Sequence, residues 1–121
     1  MILVDTSIWI DHLRHGDRHV AMLLEAGAVV CHPFVIGDFA CGSLARRHEI
    51  IELLHALPRT GQAGHDEILM FIEDRRLHGA GIGLIDAHLL WAAVSQAHEL
   101  WTRDVRLRRI ALRLGVDFSG G

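Results

Sequence analysis

Four aspartates carry most of the chemistry that this 121-residue sequence offers: Asp5, Asp38, Asp86 and Asp104. Asp5 closes the apolar run Ile2, Leu3 and Val4, and Asp104 stands two residues past the short apolar segment 100–102. In open α/β sheets, ligands gather outside the carboxyl ends of the strands, which is where both acids would lie. Each also suits a plainer role at a helix start, because carboxylates favour helix N-termini. Asp86 differs. Leu89, Leu90, Ala93 and Val94 follow it at i+3, i+4, i+7 and i+8, so its carboxylate continues an apolar stripe and should point inward near the helix start. A lone buried carboxylate is costly unless it finds a partner, a metal or a proton; an interaction with the first-turn dipole is the alternative. Asp38, in the run VIGDFACG, is the only acid between Glu25 and Glu49, so a ligand from this helix must be Asp38. Gly37 and Gly42 leave room beside it, or serve close helix packing.

Around one cleft, four Asp side chains repel one another without a cation. Hard oxygen ligands select Mg²⁺ or Mn²⁺ over zinc. Such ions hold a phosphate, activate a water and stabilise the leaving oxygen of a phosphodiester.

The elements that must position these acids follow from the apolar pattern. Residues 2–4 form a continuous apolar run that suits a buried parallel strand. Thr6 or Ser7 caps a helix to about Arg14, stopped by Gly16, and a second helix covers 19–25, closed by Gly27. Residues 28–31 read as another buried strand. Pro33 opens a third helix containing Val35, Phe39 and Leu44, and a fourth spans about 46–56, broken by Pro58. Gly61 and Gly64 frame a loop or a short edge strand. A helix over 65–78 has Ile68, Leu69, Ile72 and Leu77 on its buried side. The loop 79–83 precedes the most regular helix, 84–98; a strand at 100–102, a helix at 105–114 and a last strand at 116–118 complete the chain. Apolar strands separated by helices predict a three-layer α/β/α sandwich around a central, mainly parallel sheet, in one domain over 1–121.

Composition constrains the setting. The chain is 50% hydrophobic and 22% charged, ordinary for a globular protein. No apolar run approaches the ~20 residues of a membrane span, and the start MILVDTSIWID has no basic n-region. Cys31 and Cys41 make no disulfide framework and read as buried thiols of a cytoplasmic protein. The net charge of −3 shows no basic excess of the kind nucleic-acid binders carry. The basic charge is local instead: Arg103, Arg106, Arg108, Arg109 and Arg113 cluster near the end, either toward a ligand or along a solvated helix face. Ten His residues invite a zinc reading, but no HExxH or paired CxxC occurs, and Cys31, His32, Cys41 and His48 have no recognised zinc spacing. Asp11, six residues past Asp5, reads as a surface or helix-pairing residue, and Trp9, Trp91 and Trp101 as core or interface.

The stretches VDTSIWIDHLR at 4–14, HPFVIGDFACG at 32–42, GIGLIDAHLL at 81–90 and LWTRD at 100–104 together resemble the PIN-domain family, and within it the VapC-type toxins of bacterial toxin–antitoxin pairs. Their order and spacing fit the family from end to end. The resemblance implies a Mg²⁺- or Mn²⁺-dependent endoribonuclease, an RNA substrate such as tRNA or rRNA, neutralisation by a VapB-type antitoxin, and a homodimer with no membrane attachment. It places the family's acids on Asp5, Asp38, Asp86 and Asp104, with Thr6, Ser7 and Thr102 as supporting hydroxyls. The family usually has Glu where this chain has Asp38, a side chain shorter by one methylene, roughly 1.5 Å of reach. A water-bridged contact there is the alternative to direct ligation. Two other functions compete: a structure-specific DNA nuclease, against which the short chain counts, and a catalytically impaired PIN-like module that binds RNA or a partner.

Overall fold

The computed structural model describes residues 1–120 and places β1 (Ile2–Val4) at the centre of a parallel sheet, between β2 (Val29–Val30) and β3 (Glu99–Trp101). Leu3 pairs with Val30 on one side and Leu100 on the other. All three residues of β1 are buried although successive side chains point to opposite faces, so both faces of the sheet are covered. Single parallel bridges, Cys31 with Arg59 and Leu100 with Asp117, widen the sheet at its two edges. The covering layers are α1 (Thr6–His15), α2 (Arg18–Glu25), α3 (Pro33–Cys41), α4 (Arg47–His55), α5 (His65–Asp74), α6 (Leu84–Gln96) and α7 (Val105–Arg113). This is the α/β/α arrangement that the alternation of apolar runs and helices predicts.

Local chemistry explains the boundaries. Asp5 caps α1, Asp17 caps α2 and Asp104 caps α7, each carboxylate accepting from backbone N–H groups of the first turn. Pro33 sits at the start of α3, where His32 Nδ1 accepts from the Phe34 N–H at 2.9 Å. Gly16, at φ 72°, ends α1 in a conformation that would strain an L side chain. The apolar runs meet in one core that includes Leu3, Val4, Trp9, Leu54, Ile68, Leu89, Leu90 and Leu107. No helix among the described residues is long and apolar enough to cross a membrane.

Several expectations need correction. The helix expected over 65–78 ends at Asp74, because the chain turns through Arg76 at φ 54°; Leu77 still reaches the core, from the turn. The strand expected at 116–118 reduces to a single bridge at Asp117, and of the two readings of the segment framed by Gly61 and Gly64 the loop is the one observed, the bridge at Arg59 lying just before it. Only Cys31 is a buried thiol, and burial pushes it up to about 12 despite the Arg59 charge nearby; Cys41, on the last turn of α3, is exposed. The zinc reading fails on placement: Cys31 and His32 are buried, whereas His48 is exposed on α4 beside Glu52.

Candidate functional site

Asp5 is the pivot of the carboxyl end of the sheet. Its backbone N–H donates to the Trp101 carbonyl at 2.9 Å, which continues the β1–β3 pairing one residue past β1. Its Oδ1 accepts from the Thr6 N–H at 2.8 Å, and its Oδ2 accepts from the Thr102 hydroxyl at 2.7 Å and the Ser7 hydroxyl at 3.2 Å. Thr102 then passes the network on, its hydroxyl accepting from the Asp104 N–H at 3.0 Å. Asp104 uses Oδ1 for both cap bonds, from Arg106 N–H and Leu107 N–H, which leaves Oδ2 for a ligand. On the other side, the Thr6 hydroxyl donates to Asp38 Oδ2 at 2.8 Å. A continuous chain of hydrogen bonds therefore runs from Asp38 through Thr6, Asp5 and Thr102 to Asp104.

Asp86 joins this group through space. It lies in the first turn of α6, half-buried, with its Oδ2 accepting from the Gly83 N–H at 3.3 Å. Burial raises its pKa above the ordinary carboxylate range; the Gly83 N–H opposes this, and the charges of Asp5, Asp104 and Asp38 add to the rise. Asp86 thus feels all three other acids. Among the described residues none of the four carboxylates has a cationic side chain within 4.0 Å. The nearby Arg103 is drawn away by Asp11 and, at 3.9 Å, by Asp17. A half-buried acid in the field of three uncompensated neighbours is a donor set that fits a divalent cation. Among the described residues no three of the His, Cys, Asp or Glu side chains stand close enough together to hold a metal ion as they are arranged here, so the acids would have to draw in to bind one.

The helix-cap and functional readings of Asp5 and Asp104 turn out to be compatible, since Asp104 caps through one oxygen only. Asp11 has the surface role expected of it, with a partner the sequence did not name: it pairs with Arg103, which follows Thr102 directly. Ser7 does more than follow the first acid, because its hydroxyl also accepts from the Arg103 N–H at 3.2 Å and ties α1 to the segment after β3. The Thr-Arg-Asp sequence at 102–104 carried that signal, but only the parallel pairing of β1 with β3 reveals what it meets.

A parallel α/β/α sandwich with acids gathered at the carboxyl end of its strands is the architecture of the PIN-domain class. Comparison with solved structures agrees on the fold: the crystal structure of PAE2754 from Pyrobaculum aerophilum superposes with a TM-score of 0.61 at 17% identity, over 94% of this chain and 88% of that one. That of FitAcB from Neisseria gonorrhoeae gives 0.60 at 17%, over 92% and 93%. No protein-family model matches the chain. Ribonuclease VapC32 from Mycobacterium tuberculosis, in both strain CDC 1551 / Oshkosh and strain ATCC 25618 / H37Rv, is 44% identical over 120 residues, 98% of this chain and 97% of the relative. The chain belongs to the VapC ribonuclease family of PIN-domain proteins.

Proposed function

We infer that this protein is a divalent-cation-dependent endoribonuclease that hydrolyses RNA phosphodiester bonds as the toxin of a toxin–antitoxin pair. The observation that carries this reading is the uncompensated carboxylate cluster, Asp86 in the field of Asp5, Asp104 and Asp38, in a chain 44% identical to a VapC ribonuclease. Asp5, Asp38, Asp86 and Asp104 would hold Mg²⁺ or Mn²⁺. When bound, such an ion supplies a more acidic water and neutralises charge on the phosphate. The protein's own groups prepare the site. Thr102 and Ser7 fix the Asp5 carboxylate, Thr6 orients Asp38, and the Gly83 N–H orients Asp86. Asp86 gains most from a cation, since its ionised form is the one that burial and the other acids oppose.

An antitoxin of the VapB type is the proposed partner. A groove of about 470 Å³ between the end of α1 and α4, lined by Leu13, Leu44, Ile50 and Leu53, supports a role in receiving its apolar side chains, and a basic side chain of the partner would meet the acids with charge-assisted hydrogen bonds. A cytoplasmic homodimer acting on structured RNA such as tRNA or rRNA completes the proposal.

The test is a Mn²⁺ titration with end-labelled RNA beside DNA of the same sequence, with a chelator control. RNA cleavage that rises with Mn²⁺ while DNA stays intact is expected. Cleavage of DNA alone would assign a DNA nuclease instead, and no cleavage of either at saturating Mn²⁺ would leave a binding module. Recovery from the native host with a small DNA-binding protein attached is expected; recovery as a free monomer would contradict the partner.

A further inference from the structure

Thr102 has two sides. One touches the acids; the other lines a cavity of about 640 Å³ between the end of β3, α7 and residues 118–119. That volume lies within the ~300–1,000 Å³ typical of ligand sites. Trp101 and Phe118 line it with ring centroids 5.2 Å apart, and His19 backs them at 5.3 and 5.5 Å. Three arginines line it, Arg103, Arg108 and Arg109, and no carboxylate does. Arg103 is engaged by Asp11 and Asp17, and Arg108 Nε lies 3.6 Å from Asp117 Oδ1. Among the described residues Arg109 has no ion pair.

The helix itself is built for two faces. Leu107, Ile110 and Ala111 are buried in the core. Val105, Arg108, Arg109 and Leu112 stand at i, i+3, i+4 and i+7, a second stripe that lines the cavity. Val105 is 70% exposed and Leu112 57%, so neither is needed for the core. Arg106 and Arg113 lie elsewhere, against Gly81 and the Arg75 carbonyl. On this face, exposed aliphatic side chains alternate with guanidiniums beside the tilted Trp101 and Phe118 rings. That combination matches a nucleotide: rings and aliphatic groups for a base, guanidinium for a phosphate.

We propose that this cavity holds the nucleotide next to the scissile phosphate, its base between the Trp101–Phe118 floor and the Val105–Leu112 rim and its phosphate on Arg109. The proposal rests on the ribonuclease reading for its position in the strand, but the binding step needs no divalent ion and can be read separately. Arg109 is then a residue that grips substrate, and the cavity shape sets which base is accepted beside the cut.

The experiment uses the whole protein in chelator. Adenosine, uridine, cytidine and guanosine 5′-monophosphates and inorganic phosphate are titrated while the indole NMR signal of Trp101, assigned with Trp101→Phe, is followed. At least one nucleotide should shift that signal and bind more tightly than phosphate. Arg109→Ala should weaken its Kd roughly tenfold, the size of one lost charged hydrogen bond, with Arg109→Lys recovering part. Val105→Glu, at an exposed position, should weaken it at least as much. In Mn²⁺, both variants should raise KM for RNA with kcat nearly unchanged. Kd and KM unaltered in both variants, or phosphate binding as tightly as every nucleotide, overturns the proposal. Nucleotide binding at Trp101 without any RNA cleavage would support the cavity and sink the ribonuclease reading alone.

Discussion

Asp5 and Asp104 accept five hydrogen bonds through their carboxylates, whereas Asp38 and Asp86 accept one each. The first pair follows β1 and β3 and is locked by caps and hydroxyls; the second pair projects from α3 and α6. The strand side of the cluster is thus set by the protein's own hydrogen bonds, while the helix side has one each and Asp86 is repelled by its neighbours. The difference teaches how an acidic cluster can fold without its ion. Rigid hydrogen bonding fixes half the acids, and on the metal-dependent reading proposed above the other half would be the part that closes on a cation.

The largest expected effect strikes both halves alike. Asp5→Asn and Asp86→Asn should each lower RNA cleavage by roughly 10²–10³-fold or more, as loss of one charged element of a preorganised site does. They should part company in stability. Asp5→Asn puts an NH2 donor where one of two accepting oxygens stood, facing either the Thr6 N–H or the two hydroxyls, and should lower the metal-free Tm, whereas Asp86→Asn relieves repulsion and should not. Equal melting shifts in the two variants would erase the proposed contrast.

Thr102→Val tests the locked half next. It strips the hydroxyl that joins Asp5 to Asp104 while keeping the shape, so activity should fall about 10–100-fold, the cost usual for groups that orient metal ligands. Steady-state kinetics at saturating Mn²⁺ measure it, and a loss that extra metal fully restores would mean that Thr102 acts on affinity alone.

Asp38 probes the loose half with a smaller effect. Asp38→Glu should lower the metal concentration for half-maximal cleavage by a few-fold through its longer reach, and Asp38→Asn should raise it, since a negative charge beside the cation is lost. Three coincident midpoints in a metal titration on one RNA would remove Asp38 from the working site.

The smallest effect concerns pH. The folded pKa of Asp86 is raised above its unfolded value, so its contribution to stability is full below the unfolded pKa and is lost as pH rises through the folded one. Without metal, the Tm of Asp86→Asn should therefore gain on the wild type as pH rises above the ordinary carboxylate range, by a few degrees at most. A gap that narrows with rising pH would contradict the raised pKa.

Much of this was legible because strong local signals agreed with tertiary need. The buried runs around Leu3, Val30 and Leu100 read as parallel strands, and all four acids stand on the elements where their neighbours placed them. What escaped was long-range. Leu77 fits the apolar period of α5 yet reaches the core from a turn, because burial, which the period reports, does not require the helix to continue. Cys41 was misplaced for a related reason: it shares α3 with the buried Phe39, but on the side turned outward. The arginines of α7 were visible as a cluster, but their division between two faces depends on Trp101 and Phe118 meeting beside them.

The central place of β1 has a kinetic consequence. Its neighbour β3 is specified 97 residues later, and Thr102 reaches Asp5 across that same separation. At the usual pace of synthesis the ribosome takes roughly 5–20 s to cover that stretch. Throughout that interval the growing chain displays Asp5 without the strand that completes its surroundings. Closure of so distant a pair is among the slower steps of folding. The surroundings of Asp5 are therefore completed late, only once β3 and Thr102 have left the ribosome.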